Sequence, residues 1–203
     1  MVGSPSASAR TVGPAGVRGL VRPAWIGLAL ALIVAARWAA TIADGPPYVI
    51  GALFGAAFLA LARAGGLRAS RPAPSAVLVG ALGSVVLVAL ALGASQLAGQ
   101  PLRAVPKTEF GLWALVTIVV ASAEELVLRG SLFDALRDAA GVWAAVALTS
   151  VAFALMHVPL YGWHVVPLDL GVGVFLSGLR LASGSVAAPA IAHVVADLAT
   201  WWL

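Results

Sequence analysis

The sequence contains no cysteine among its 203 residues, so a disulfide framework and a thiolate metal site are both excluded. It also has few charges: 10% of the residues are charged and 62% are hydrophobic, against about 25% and about 45–50% in soluble domains. Because so few charges cannot cover a water-facing surface, we expect the chain to fold mainly in lipid. The composition excludes a disordered chain, a coiled coil, a nucleic-acid-binding protein and a secreted disulfide scaffold.

The apolar residues are grouped in runs of the length that a membrane helix needs, about 20 residues. Glycine and proline separate the runs, which cover approximately 23–43, 47–63, 75–99, 109–137, 141–158, 166–180 and 185–203. The run at 166–180 is short and rich in glycine. The pattern predicts an all-α, polytopic membrane helix bundle with six to seven transmembrane helices. Residues 1–22 are predicted as a disordered cytosolic tail, and 23–203 as a single transmembrane domain.

The basic residues predict the orientation of the chain. With the N-terminus inside, the inner segments hold Arg10, Arg18, Arg22, Arg63, Arg68, Arg71, Arg137 and Arg180, and the outer loops hold only Arg103 and Lys107. Because cytoplasmic loops carry the excess of Lys and Arg, we expect a cytoplasmic N-terminus in a bacterial-type plasma membrane. Seven crossings would then put the C-terminus outside. The net charge of +4 is explained by this topology and requires no nucleic acid.

A few ionisable residues lie within the apolar runs, where each costs about 2.5–3.5 kcal/mol to insert and therefore indicates a functional site. Arg37, Glu109 and Asp169 are near segment ends, and we expect their side chains to extend to the membrane interface. Most of the others fall into three short motifs.

The first motif is Glu124-Glu125-Leu126-Val127-Leu128-Arg129. Glu125 and Arg129 are four residues apart and lie on one helix face in the favourable order, so we expect them to pair. Glu124 points about 100° away on a helix and is free for chemistry. The alternative is that all three residues form a neutral cluster that only joins helices.

The second and third motifs place histidines on later runs. Phe153 precedes His157 by four residues, and His193 precedes Asp197 by four. A histidine near a helix end can be a capping or packing residue. A His–Asp pair on one helix face can bind a metal, transfer protons or let the carboxylate orient the ring.

Depth in the bilayer tests whether the three motifs can meet. If the fourth helix continues past Arg129 to Arg137, then Glu124, His157 and His193 lie about 20, 24 and 12 Å from the inner face, at about 1.5 Å per residue. All three then reach the middle of a core about 30 Å thick. We therefore predict this longer helix.

A carboxylate and two imidazoles in a water-poor pocket are suited to activating a water for amide hydrolysis, since desolvation makes a carboxylate a better base. Further polar groups could stabilise the oxyanion, or the whole set could hold a divalent metal. The sequence has no His-Glu-x-x-His motif, no Gly-x-Ser-x-Gly motif and no Gly-x-Gly-Asp motif. Proton-coupled transport remains an alternative at this point.

The order Glu-Glu-x-x-x-Arg, Phe-x-x-x-His and His-x-x-x-Asp on successive membrane helices resembles the CAAX protease and bacteriocin-processing (CPBP, or Abi) family of intramembrane endopeptidases. The resemblance covers about residues 109–203. It also includes Leu132-Phe133 after the first motif and Gly184-Ser185 ahead of the third. The resemblance implies hydrolysis of a membrane-associated, prenylated (CAAX-type) or bacteriocin-like peptide.

The resemblance also implies roles for single residues. Glu124 and His157 match the pair held to activate the water, and His193 and Asp197 match the pair held to stabilise the oxyanion. Glu125 and Arg129 match supporting positions, as does Phe153 of the second motif.

Asp197 departs from the asparagine of the prenyl-protein branch. An ionised aspartate would repel an oxyanion, so it must be protonated, balanced by a charged His193, or bound to a metal.

The expected partners are the lipid bilayer and a peptide or lipidated-protein substrate. If a divalent metal such as zinc is bound, its expected ligands are Glu124, His157, His193 and Asp197, which would make the protein a metalloendopeptidase. The alternative function is a non-catalytic immunity or scaffold protein of the same fold.

Overall fold

The computed structural model describes residues 18–67, 71–98 and 109–202, and every regular element in these ranges is helical. The α-helices are α1 (Arg18–Ile42), α2 (Pro47–Ala64), α3 (Pro74–Ala98), α4 (Phe110–Glu125), α5 (Phe133–Ala140), α6 (Val142–Tyr161), α7 (Val166–Ser183) and α8 (Ala187–Ala199). A π-helical segment, Leu126–Leu132, joins α4 to α5, and a 3₁₀ turn, Trp163–Val165, precedes α7. The predicted all-α class is confirmed.

Within the described ranges, six helical stretches are long and apolar enough to cross a membrane: Gly19–Ile42, Pro47–Ala64, Pro74–Gly93, Phe110–Ala140, Val142–Tyr161 and Trp163–Ser183. The protein is therefore an integral membrane protein with a polytopic helix bundle. The run predicted at 185–203 contains α8, a shorter apolar helix of 13 residues. At about 1.5 Å per residue, α8 covers only about 20 Å.

The bundle is apolar on its outer faces, and its mainly apolar core also holds a set of buried polar side chains. Large apolar side chains such as Leu28, Leu53, Leu82 and Leu148 are exposed on the outer faces of their helices. The buried polar side chains include serines, a threonine and ionisable groups from α4, α6, α7, α8 and the π segment. This is the distribution expected when the surrounding solvent is lipid and polar groups must find partners within the protein.

Arginines join several helix ends at one side of the bundle. Arg22 of α1 donates hydrogen bonds of 3.1 and 2.7 Å to the carbonyl oxygen of Gly65, next to the end of α2. Arg180 of α7 lies 3.3 Å from Asp134 of α5. The start of α1 and the ends of α2, α5 and α7 therefore lie at one end of the bundle, as the alternating crossings require. Arg10, Arg68, Arg103 and Lys107 lie outside the described residues.

Aromatic rings occupy the opposite end. The ring of Trp201, just after α8, lies 4.9 Å from Trp113 and 5.3 Å from Phe110, at the start of α4. Short as it is, α8 therefore runs from the arginine end towards the end where α4 begins.

Three predicted boundaries are corrected. Helix α1 begins at Arg18, so residues 18–22 of the predicted tail are helical, while residues 1–17 lie outside the described residues. The run predicted at 141–158 is also too short, because α6 continues through Pro159 to Tyr161 and ends before Gly162 at φ 86°. The short run at 166–180 is longer than predicted, because α7 continues to Ser183 despite its glycines.

The predicted long fourth helix is confirmed, because the helical stretch from Phe110 to Ala140 is continuous over 31 residues. The sequence pattern did not distinguish its π-helical part, Leu126–Leu132. Such wide turns are frequent at functional sites. The π segment packs tightly against the chain after α2, where a Cβ at Gly130 would lie 2.7 Å from Leu67.

Small residues bring α3 close to α8. A Cβ at Gly80 would lie 2.9 Å from the carbonyl oxygen of Ala188, and one at Gly83 would lie 2.5 Å from Leu179 and 3.3 Å from Ala192. Glycine allows this close approach of membrane helices. Ala192 is next to His193, so this packing fixes the height of the third motif in the bundle.

Candidate active site

The π segment carries a fully buried arginine, Arg129, at 0% exposure. Its Nη1 lies 2.8 Å from Oε1 of Glu125, and its Nη2 donates a 3.0 Å hydrogen bond to the carbonyl oxygen of Gly173 on α7. The structure thus contains the Glu125–Arg129 pair that the spacing predicts. The carbonyl oxygen of Arg129 in turn accepts a 3.0 Å hydrogen bond from Nε of Arg180, so a backbone group of the wide turn is satisfied by a side chain.

Glu125 also contacts the third motif. Nδ1 of His193 lies 3.0 Å from Oε1 of Glu125, and its Nε2 lies 3.4 Å from Oδ2 of Asp197. His193 therefore stands between two carboxylates, one from the first motif and one from its own helix. A ring that donates from both nitrogens must carry two protons, so this position suits a positively charged imidazole.

His157, 5% exposed, is oriented through one ring nitrogen. Its Nδ1 lies 2.9 Å from the carbonyl oxygen of Phe153 and 3.4 Å from Oδ2 of Asp169. A carbonyl oxygen can only accept, so Nδ1 carries the hydrogen. In the neutral ring, Nε2 then holds the lone pair that can accept a proton from a substrate or water.

Phe153 links the three motifs. Its ring lies 4.7 Å from the ring of His157 and 5.3 Å from that of His193, edge-on in both cases. The guanidinium of Arg129 lies over the same ring at 4.7 Å. The phenylalanine of the second motif therefore positions both imidazoles and the buried arginine.

Glu124 is 2% exposed and contacts a different residue from Glu125. Its Oε1 lies 3.7 Å from Nη1 of Arg37 on α1. It also interacts electrostatically with His193 and Asp197. The first glutamate is thus close to a cation that the motifs do not contain and lies within electrostatic range of the third motif.

Arg37 also lines a cavity of about 170 Å³. Its guanidinium lies over the ring of Phe54 at 4.2 Å. The other lining residues come from the end of α1, the start of α2 and the end of α6, and are Thr41, Gly45, Pro47, Ile50, Gly51 and Leu160. The cavity is thus bordered by the arginine that contacts Glu124, while Glu124 itself is not among its lining residues.

Two of the residues assigned to the membrane interface lie in the site instead. Asp169 is 1% exposed and faces His157, and Arg37 faces Glu124. The expectation that both extend to the interface is therefore wrong. Each is near a helix end along the chain, but each contacts a residue on another helix, Glu124 for Arg37 and His157 for Asp169. Their location within apolar runs was a sign in the sequence that they belong to a functional site. The sequence did not show which residues they contact.

The histidines and carboxylates of the site do not form a cluster suited to a metal. In the part of the chain that the structure describes, no three His, Asp or Glu side chains are grouped as a metal ion would need. Both nitrogens of His193 already face carboxylates, and Nδ1 of His157 faces a carbonyl. In this arrangement Glu124, His157, His193 and Asp197 are not grouped as the ligands of one metal ion. The binding of a divalent ion stays a prediction.

The comparison with known families covers the part of the chain that holds the three motifs. Residues 106–199 match the family described as type II CAAX prenyl endopeptidase Rce1-like. This part of the chain, slightly less than half of it, is similar to the Rce1-like family. The match confirms the resemblance to the CAAX proteases and supports the general interpretation of this chain as a protease. No curated protein and no solved structure matches the chain.

The Rce1-like segment begins just ahead of α4 and ends with α8. It contains Glu124, Glu125, Arg129 and both site histidines, together with Asp169. Arg37 lies outside it, on α1. The helices that precede the Rce1-like segment therefore contribute a charged residue to the site.

Proposed function

We propose that this Rce1-like protein is an intramembrane endopeptidase that hydrolyses a peptide bond of a prenylated or otherwise membrane-associated peptide. The observation that carries the proposal is the buried carboxylate of Glu124, which lies 3.7 Å from the guanidinium of Arg37 and interacts electrostatically with His193 in the interior of a membrane bundle. An ionisable group at such a position indicates a functional site, and general-base activation of water is the chemistry that the similarity to the Rce1-like family favours.

In the proposed reaction, a water lies between Glu124 and Nε2 of His157. Glu124 takes one proton from the water as its oxygen attacks the carbonyl carbon of the substrate. The second hydrogen of the water donates to Nε2, which orients the attacking oxygen. The tetrahedral intermediate then collapses: the C–N bond breaks, Glu124 returns its proton to the leaving amine nitrogen, and the new carboxyl group gives its proton to His157.

The oxyanion of the intermediate is proposed to lie near His193 and to be stabilised by the positive charge of the ring and not by a hydrogen bond, since both ring nitrogens face carboxylates. The contact of Nε2 with Asp197 supports a charged imidazole there, because a positive ring is stabilised by the carboxylates on its two sides. Asp197 then acts on the ring and is kept from repelling the oxyanion itself. Glu125, Arg129 and Phe153 hold His193 and His157 in place, and no step passes through a metal.

The orientation is part of the proposal. The end of the bundle that carries Arg22, Arg137 and Arg180 is proposed to face the cytoplasm, since short loops rich in arginine remain there. The N-terminus is then cytoplasmic, in the plasma membrane of a bacterial-type cell.

The substrate class is tested with two peptides of the same sequence, one carrying a prenyl group on its cysteine and the other unmodified. In proteoliposomes that contain the purified protein, we expect the prenylated peptide to be cleaved at least about tenfold faster, because each buried CH₂ adds about 0.8 kcal/mol of membrane binding. Mass spectrometry identifies the bond that is cut. Cleavage of neither peptide would contradict the proposal, and equal cleavage would remove the preference for lipidated substrates.

A further inference from the structure

Asp169 is a buried carboxylate for which the three motifs provide no role. It lies in the first turn of α7 and is 1% exposed. A buried charge is unfavourable unless it is paired. Its Oδ2 lies 3.4 Å from Nδ1 of His157, which is on the neighbouring helix α6.

A role in helix stability alone does not account for this position. An acidic residue in the first turn of a helix interacts favourably with the helix dipole. It does so from an exposed position as well as from a buried one, so this interaction does not explain the burial of Asp169. Asp169 instead faces α6, and α6 and α7 are close enough that a Cβ at Gly173 would lie 2.9 Å from Cα of Ser150. The carboxylate is therefore directed at the histidine by tight packing of the two helices.

The nitrogen that Asp169 faces is the one that carries the hydrogen. The carbonyl oxygen of Phe153 already accepts from Nδ1 at 2.9 Å, and a carboxylate on the same side favours the same tautomer. When Nε2 takes up a proton, the ring becomes positively charged. A carboxylate beside the other nitrogen then stabilises the charged ring, as an aspartate does in hydrolases with an aspartate–histidine couple.

We propose that Asp169 is a positioning residue that acts through His157. It holds Nδ1 protonated and keeps the lone pair of Nε2 directed to the water, and it stabilises the charged ring after the new carboxyl group has given up its proton. This inference rests on the proposed function. It adds a fourth element, the start of α7, to a site that the motifs place on α4, α6 and α8.

The test uses Asp169→Asn in proteoliposomes with the prenylated peptide. Asparagine keeps the size of the side chain and the preference for helix starts, but it removes the charge. We expect kcat to fall about 10- to 100-fold, because the charged ring loses the carboxylate beside Nδ1 and interactions with a charged group contribute on this scale, with KM changed less than about twofold. The matched control is Asp138→Asn, a side chain that is 65% exposed, and we expect it to leave kcat unchanged.

A double variant separates a role through His157 from a merely structural one. In the background of His157→Ala, Asp169→Asn should cause no further loss of the residual turnover, because coupled residues are not additive. Asp169→Glu keeps the carboxylate, so it should retain part of the turnover that Asp169→Asn loses. This variant also provides a test if Asp169→Asn does not fold. Three results would overturn the inference. Asp169→Asn could lower kcat equally in the presence and absence of His157, it could change KM alone, or Asp169→Asn and Asp169→Glu could lose turnover equally. If the unaltered protein cleaves no peptide, it is the proposed function that fails.

Discussion

Glu124→Gln is expected to lower peptide cleavage in proteoliposomes by about 10²- to 10⁴-fold, the range that a general base contributes. Glutamine keeps the shape of the side chain but cannot take a proton from water. The protein should remain folded, because the partner that loses its charge contact, Arg37, is partly exposed and also lies over Phe54. Turnover of the prenylated peptide, with thermal unfolding in detergent measured alongside, checks both statements.

The matched control is Glu109→Gln. Glu109 precedes the same helix, α4, but it is exposed and distant along the chain from the motifs. We expect this variant to cleave the peptide at the rate of the unaltered protein. If Glu124→Gln retained full turnover, or if both variants lost it equally, Glu124 would not be the base.

Arg129→Met should destabilise the folded protein by about 3–5 kcal/mol, the cost of leaving one partner of a buried ion pair alone. Arg129 is fully buried, and its removal leaves Glu125 with His193 in place of two cations and the carbonyl oxygen of Gly173 without its donor. We therefore expect a large fall in the thermal unfolding temperature in detergent, together with loss of cleavage. Arg137→Gln is the control, because the side chain of Arg137 is 45% exposed and exposed pairs contribute about 0–1 kcal/mol.

The double variant Glu125→Gln/Arg129→Met separates stability from activity. It removes both charges of the buried pair, so it should recover much of the unfolding temperature. It should not recover cleavage, because Glu125 is also the contact of Nδ1 of His193. A double variant that is stable and fully active would show that the pair has no part in holding the site.

The elements that could be predicted are those whose signal is local in the sequence. The apolar runs gave the membrane helices, and the four-residue spacing of Glu125 and Arg129 gave their pairing. The continuation of the fourth helix followed from the need to bring Glu124 and His157 to one depth. Each of these inferences depends on distances along a single helix or across a bilayer of known thickness.

The elements that could not be predicted depend on contacts between helices. Arg37 and Asp169 are near helix ends in the sequence, where an interfacial position is the ordinary expectation. Arg37 contacts Glu124, which is more than 80 residues away in the sequence, and Asp169 contacts His157, which is 12 residues away. These contacts decide where the two side chains lie. The π segment was also not predictable, since the same apolar residues are compatible with α-helical and π-helical turns.

The short length of α8 follows from the same kind of contact. Its sequence is apolar apart from His193 and Asp197, but Gly80 and Gly83 of α3 pack against its first half, and Trp201 joins the aromatic cluster near the start of α4. These contacts fix where the helix begins and ends. They also set the position at which His193 meets Glu125.

The central claim is that Glu124 acts as a base on water and does not attack the substrate itself. A single turnover in water enriched in the heavy isotope of oxygen, followed by mass spectrometry of the product and of the Glu124-containing fragment of the protein, tests this most directly. The account predicts that the isotope appears in the new carboxyl group of the product and that Glu124 remains unlabelled. Heavy oxygen in the side chain of Glu124 would show a covalent intermediate and contradict the account.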